Sequence, residues 1–107
     1  MKIYIAFALA FLHLPSFAWD GSVAGKVSRI EVTSGNNYGF RVYLNGSPKL
    51  CGNDHYWAYI NESDSNYQTL VSVLLAAKAS QFNVRIYSNR KEGLDDGYCH
   101  IGYIAIE

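Results

Sequence analysis

Apolar positions fall along this chain in three different rhythms. Ile3 to Leu14 is an almost unbroken apolar run behind a single Lys2. Pro15 ends it, and Ser16-Phe17-Ala18 sets small residues three and one before the expected processing point. This is the layout of a secretory signal peptide, too short to span a bilayer with comfort. Removal of Met1 to Ala18 leaves 89 residues in one domain, residues 19–107. From Val23 to Val32 the rhythm becomes two-residue alternation, with one slip: Val27 lies on one phase, Ile30 and Val32 on the other. An extra residue near Ser28-Arg29 repairs the phase, so the first strand is expected to carry a β-bulge. Gly35-Asn36-Asn37 offers turn chemistry. Tyr38, Phe40, Val42 and Leu44 then alternate with Gly39, Arg41 and Tyr43 as a half-buried strand. Asn45-Gly46, extended by Ser47-Pro48, is the next turn, and a third strand reads through Tyr56 to Ile60.

The third rhythm is helical. Tyr67, Leu70, Val71, Leu74, Leu75 and Lys78 share one face, and Ser65 with Gln68 fits a capping box. Thr69, Ser72, Val73, Ala76, Ala77 and Ser80 form the other face, small and uncharged. It is either simply exposed or packed against a second body. Val84 and Ile86 alternate with Arg85 and Tyr87 in a fourth strand. Ser88 to Gly97 reads as a polar loop. Ile101 to Ile106 is a fifth strand, interrupted by Gly102. The expected class is therefore mainly β: an OB-fold, a five-stranded Greek-key barrel with one α-helix between strands 3 and 4. A plain α+β sandwich with the same order is the fallback.

Composition narrows what such a barrel could do. Without Lys2, eight basic residues face nine acidic ones, so there is no excess charge to grip nucleic acid and no stable insertion into a membrane is expected. Cys51 and Cys99 read most simply as a disulfide in an oxidising compartment. A metal pair helped by His55 or His100, or a reactive thiol, are the rival readings. Eight of the nine tyrosines lie beyond Ala18, with Trp19 and Trp57 besides. Such rings suit strands, and they also stack on sugar rings and anchor interfaces.

No frame for catalysis stands out, and no metal or cofactor motif does. Asp95-Asp96 sits between Gly93 and Gly97 and reads as a turn. His55 reads as a partly buried or interface histidine, and His100 as one positioned by its neighbour Cys99. Asn45-Gly46-Ser47 and Asn61-Glu62-Ser63 match the glycosylation pattern. The outward phase of the second and fourth strands holds Arg41, Tyr43, Arg85 and Tyr87. Rings alternating with guanidinium donors suit a sugar with hydroxyl or carboxylate groups.

Several stretches carry a resemblance: Asp20-Gly21 with Gly25 and Val27, Trp57 before the helix, Tyr67 to Ala79, and Val84-Arg85-Ile86-Tyr87. Together they resemble the B subunits of bacterial AB5 toxins, of the subtilase cytotoxin and typhoid toxin type. The resemblance implies a homopentameric ring that binds cell-surface glycans and can partner a toxic A subunit. Its helices would line a central pore through Val73, Ala76 and Ala77. It also implies that Asp20 and Tyr87 sit near the ligand. The sialoglycan-binding members have a serine on the first strand just before the glycine; here that position is Ala24. The chain is also shorter than those subunits and lacks their additional C-terminal cysteine pair. The expected function is thus that of a secreted, non-enzymatic glycan-binding protein, with a monomeric periplasmic OB protein binding a protein or envelope partner as the alternative.

Overall fold

The first strand is long enough to serve two neighbours, and the rest of the fold follows from that. The computed structural model describes residues 18–107, so the expected leader lies, apart from Ala18, outside the described residues. β1 (Gly21–Val32) pairs through Gly21–Lys26 with β4 (Asn83–Arg90) and through Val27–Val32 with β2 (Phe40–Leu44), antiparallel in both cases. The changeover is the expected bulge: the register shifts between Val27 and Arg29. Ser28 and Arg29 both face outward there, so Val27 and Ile30 can both turn inward despite their opposite phases. The extra residue adds the twist that carries one strand from one partner to the next.

β2 is antiparallel to β3 (Ala58–Ile60), β3 is parallel to β5 (Cys99–Ile106), and β5 is antiparallel to β4. The pairings close on themselves in the order β1-β2-β3-β5-β4, a closed barrel. A helix, α1 (Tyr67–Ser80), connects β3 to β4. The inward residues are the alternating set: Val27, Phe40, Val42, Leu44, Ile60, Val84, Ile86 and Ile101, with Leu50 and Leu74 from outside the strands.

Several expected boundaries move. Tyr38 is not in the second strand; it stands before it with φ 54°. The third strand begins at Ala58, so Tyr56 and Trp57 form its approach. Ser88 belongs to β4 rather than to a loop: it is fully buried, and its hydroxyl donates to Leu50 O at 2.9 Å. A short polar residue with a buried partner looks like a loop residue in sequence, which is why the strand read short.

The helix is rotated from the expected face. Leu74 and Ala77 are fully buried, with Tyr67, Leu70 and Val71 packed beside them. Leu75 is 50% exposed and belongs to the outer face. Ala77 therefore sits in the core and not on a pore-facing surface with Val73 and Ala76. A small side chain, Ala77, thus takes the core position beside Leu74, where hydropathy alone would have put Leu75. The capping box does not form either. Asn66 caps the helix with φ 61° and makes no side-chain cap bond, while Asp64 accepts the Asn61 amide at 2.8 Å.

Cys51 and Cys99 are joined, their Cα atoms 5.5 Å apart and both side chains buried. Metal and free-thiol readings end there. With a sequence separation of 48, the chain-entropy model gives the bridge about 4 kcal/mol of stabilisation. It ties the β2–β3 connection to the start of β5, where Cys99 registers opposite Ala58. No described helix is long and apolar enough to cross a membrane.

Candidate binding surfaces

The five residues expected to bind ligand separate into two groups. Arg85 and Tyr87 alternate outward on β4, and β1 sets Ala24 opposite Arg85 and Ser22 opposite Tyr87. On the other side β5 places Tyr103 opposite Tyr87. The register then shifts, because Ser88 pairs with Ile101 and Gly102 is the extra residue. Gly102 and Tyr103 consequently both face outward. A Cβ on Gly102 would collide with the Trp19 indole, so only glycine lets that ring lie against β5. Trp19, Tyr87 and Tyr103 form a platform with centroids 6.0 Å (Trp19–Tyr87), 6.4 Å (Trp19–Tyr103) and 4.8 Å (Tyr87–Tyr103) apart. Tyr103 is 54% exposed.

The border of this platform is polar. The Arg85 guanidinium donates to Glu107 Oε2 at 3.0 Å and to Ser22 Oγ at 3.2 Å. Asp20 accepts the Arg90 amide at 2.8 Å, and its own amide donates to Asn89 Oδ1 at 2.8 Å. Both bonds tether the segment that carries Trp19 to β4. Asp20 is thus a positioning residue for the ring beside it.

Arg41 and Tyr43 lie elsewhere, on β2. The Arg41 Nε donates to Tyr38 O at 2.8 Å, and its Nη2 to Asn37 O at 3.2 Å, with the guanidinium 4.9 Å from the Trp57 ring centroid. Tyr43 donates its hydroxyl to Glu31 Oε1 at 2.7 Å, and Arg29 sits 5.2 Å above its ring. The Tyr43 hydroxyl, followed by Arg29, holds the Glu31 carboxyl below its usual range. Burial, then Glu31, pushes the Tyr43 hydroxyl up. Both expected ligand residues on β2 are engaged within the chain.

A second aromatic group has no signature as a unit in the sequence. Tyr38, from the β1–β2 loop, meets Tyr59 of β3 at 4.7 Å and Tyr98 of the β4–β5 loop at 5.0 Å, both edge to face. Trp57 lies 4.7 Å from Tyr98, and His55 lies 4.8 Å from it. Lys91 Nζ donates to the Tyr38 hydroxyl at 2.6 Å, and that bond holds the lysine above its ordinary pKa. Burial pushes Tyr59 up to about 12. Only the tyrosine count and the adjacent Gly35-Asn36-Asn37 turn hinted at this group. The distances between its members are set by loop closure, which has no periodicity to read.

Beside Tyr38 and Tyr98 lies a cavity of about 180 Å³, also lined by Lys91, Glu92, Leu94 and Asp96. A larger depression, about 510 Å³, opens at the start of α1 between Glu62, Asp64, Asn66 and Tyr67. Its walls are polar, with Tyr67 the one ring among them, so it offers no platform for stacking. His100 Nε2 lies 2.7 Å from Asp64 Oδ2 and stacks on Tyr59 at 5.0 Å, so Asp64, not the disulfide, orients it. His55 Nε2 is 2.7 Å from the Asp96 carbonyl. The Asp95 carboxylate stands 3.8 Å from Arg90. Asn61 uses its side-chain oxygen to accept the Tyr38 amide at 2.8 Å. No group of three or more His, Cys, Asp or Glu among the described residues is arranged to hold a metal ion.

Compared with protein-family models, curated proteins and solved structures, the chain shows no match to any of them.

Proposed function

We propose that this chain is an exported, non-enzymatic carbohydrate-binding protein built on an OB-type barrel and working like an AB5 toxin B subunit. The observation that carries the reading is the Trp19–Tyr87–Tyr103 platform with Arg85 and Ser22 at its edge. Exposed rings take the apolar face of a pyranose, and a neighbouring guanidinium and hydroxyl meet its oxygens. Three of the expected residues, Asp20, Arg85 and Tyr87, support it together, two at the platform's edge or floor and one holding Trp19. Leader removal after Ala18 would leave Trp19 as the first residue with the platform intact. The strand order 1-2-3-5-4 and the helix between β3 and β4 favour the OB assignment. The buried disulfide favours an oxidising compartment, whether periplasmic or extracellular.

Ring assembly is the second element of the reading, and the outward face of α1 supports it. Ala76 and Leu75 are exposed and Val73 half-buried, leaving an uncharged surface for a neighbour. The burial of Ala77 removes that residue from the surface and leaves Val73, Leu75 and Ala76 to meet a neighbour.

A glycan array probed with the oxidised protein tests the binding claim. Binding that Tyr87→Ala abolishes is the expected result, and silence across neutral and acidic glycans would remove the reading. Light scattering at micromolar concentration tests the ring: a pentamer mass is expected, and a monomer would leave the alternative standing.

A further inference from the structure

The cavity between the β1–β2 and β4–β5 loops is a second binding site, and we infer that it takes the ring of a neutral sugar. It stands apart from the platform proposed above and does not depend on it.

Tyr38 is the first ground. A bulky aromatic residue in the left-handed region, here Tyr38 at φ 54°, is strained, and such strain concentrates at ligand clamps. Three bonds keep it there: Asn61 accepts its amide, Arg41 donates to its carbonyl, and Lys91 donates to its hydroxyl. An ammonium has no lone pair to offer, so the Tyr38 oxygen accepts and its own hydrogen stays free to donate. Lys91 retains two further N–H donors.

The opposite wall is fixed in advance. Asn53 Nδ2 donates to the Gly97 and Asp95 carbonyls at 2.8 and 3.1 Å. The Lys91 amide donates to Tyr98 O at 2.9 Å, and the disulfide closes the loop base. Tyr98 is 37% exposed, so its ring is offered to solvent on a rigid support. A wall that is already ordered avoids the entropy cost of ordering it on binding.

Charge selects among possible occupants. Glu92 and Asp96 line the cavity together with Lys91 and appear in no ion pair among the described residues, so the lining offers carboxylate acceptors as well as an ammonium donor. An anionic ligand would face two carboxylates. A cation would face Lys91, and the Tyr38 and Trp57 rings already hold Lys91 and Arg41 at 4.8 and 4.9 Å. A neutral pyranose, whose hydroxyls both donate and accept, meets the mixed rim while its apolar face rests on Tyr98. At 180 Å³ the cavity is smaller than the sites that take drug-sized ligands, which limits its occupant to a single ring.

Amide-resolved NMR of the oxidised protein tests this with four probes: methyl β-galactoside, methyl α-glucoside, the methyl glycoside of N-acetylneuraminic acid, and tetramethylammonium. A neutral glycoside is expected to shift the Lys91, Glu92, Gly97 and Tyr98 amides with millimolar affinity. Tyr98→Ala should weaken this about ten-fold or more, and Lys91→Met, which leaves the stacking ring in place, about three-fold. Tyr87→Ala should leave it unchanged. Absence of shifts at this loop with both neutral glycosides at tens of millimolar overturns the proposal. So does a response to tetramethylammonium alone or to the sialoside alone. Should Tyr98→Ala disturb the fold, an undiminished response in Lys91→Met counts against the site. Shifts confined to Tyr87 and Tyr103 would support the platform and reject the cavity.

Discussion

The two aromatic groups use the same residue types, but the chain holds them by different means. Trp19, Tyr87 and Tyr103 rest on paired strands, and the device that assembles them is one extra residue, Gly102, in a ladder. Tyr38, Trp57 and Tyr98 come from loops and strand approaches, and what assembles them is a staple. The disulfide, the Asn53 side chain and the Lys91–Tyr38 bond together fix backbone that no ladder orders. A platform on strands should survive anything short of unfolding, whereas a platform on loops should fail when its staples are cut. Each group contains one of the two tryptophans, so fluorescence reads them separately.

Reduction of the Cys51–Cys99 bridge gives the largest expected effect. Urea unfolding should show a loss of about 4 kcal/mol relative to the oxidised protein. Before global unfolding, Trp57 in a Trp19→Phe background should shift to the red on reduction. Trp19 in a Trp57→Phe background should not. Simultaneous shifts would mean that loops and barrel open as one unit, and the contrast between the groups would be lost.

Gly102→Ala is the converse experiment. The new Cβ must displace the Trp19 indole, with a stability cost of about 1–2 kcal/mol. Trp19 emission should move toward that of an exposed indole, while Trp57 emission and the response of the loop cavity stay as they are. A change in Trp57 would show coupling between the groups through β5, which carries both Gly102 and Cys99.

A smaller effect separates them by pH. Tyr59 underlies the loop group at 2% exposure, and its folded pKa stands at about 12 against an ordinary 10.0. Between those values the unfolded chain loses a proton that the folded one keeps. Stability therefore falls as pH rises from about 10 toward 12, by at most ~1.4 kcal/mol per unit. Urea midpoints measured across that range should lose this slope in Tyr59→Phe. An unchanged slope would assign the alkaline transition to other tyrosines.

What could be read beforehand follows the same division. Strand phase predicted the Ser28 bulge and the strand order, because burial on one face enforces a period of two. The interruption at Gly102 was visible too, although not its use as a seat for Trp19. The cysteine pair is legible from the count and from the expected leader. Helix orientation is not legible: hydropathy assigns Leu75 to the core and Ala77 to the surface, and the burial is the reverse. The loop group stayed hidden because Tyr38, His55, Trp57 and Tyr98 meet only after the chain closes. The sequence offers Asp20 as a ligand residue; in the fold its bonds to β4 hold its neighbour Trp19 in place.

Tyr43 gives the finest test of the contrast, since its ring pairs with Tyr56 and belongs to neither group, whereas Arg41 on the same strand already holds Tyr38 and Trp57. Tyr43 donates to Glu31, which is also bonded to Arg29, and this lowers the Glu31 pKa from its ordinary 4.5. A depressed carboxylate contributes stability above its unfolded pKa and loses it as pH falls through the folded value. Glu31→Gln should thus lower stability slightly at neutral pH, leave it unchanged in strong acid and so flatten the acid limb below pH 4.5, with a small amplitude because the pair is open to solvent. Tyr43→Phe should do the same. Neither change should alter glycan binding at Tyr87 or the neutral-sugar response at Tyr98, both followed by amide shifts. Loss of either response in Tyr43→Phe would return β2 to the binding surface and join the two groups into one extended site.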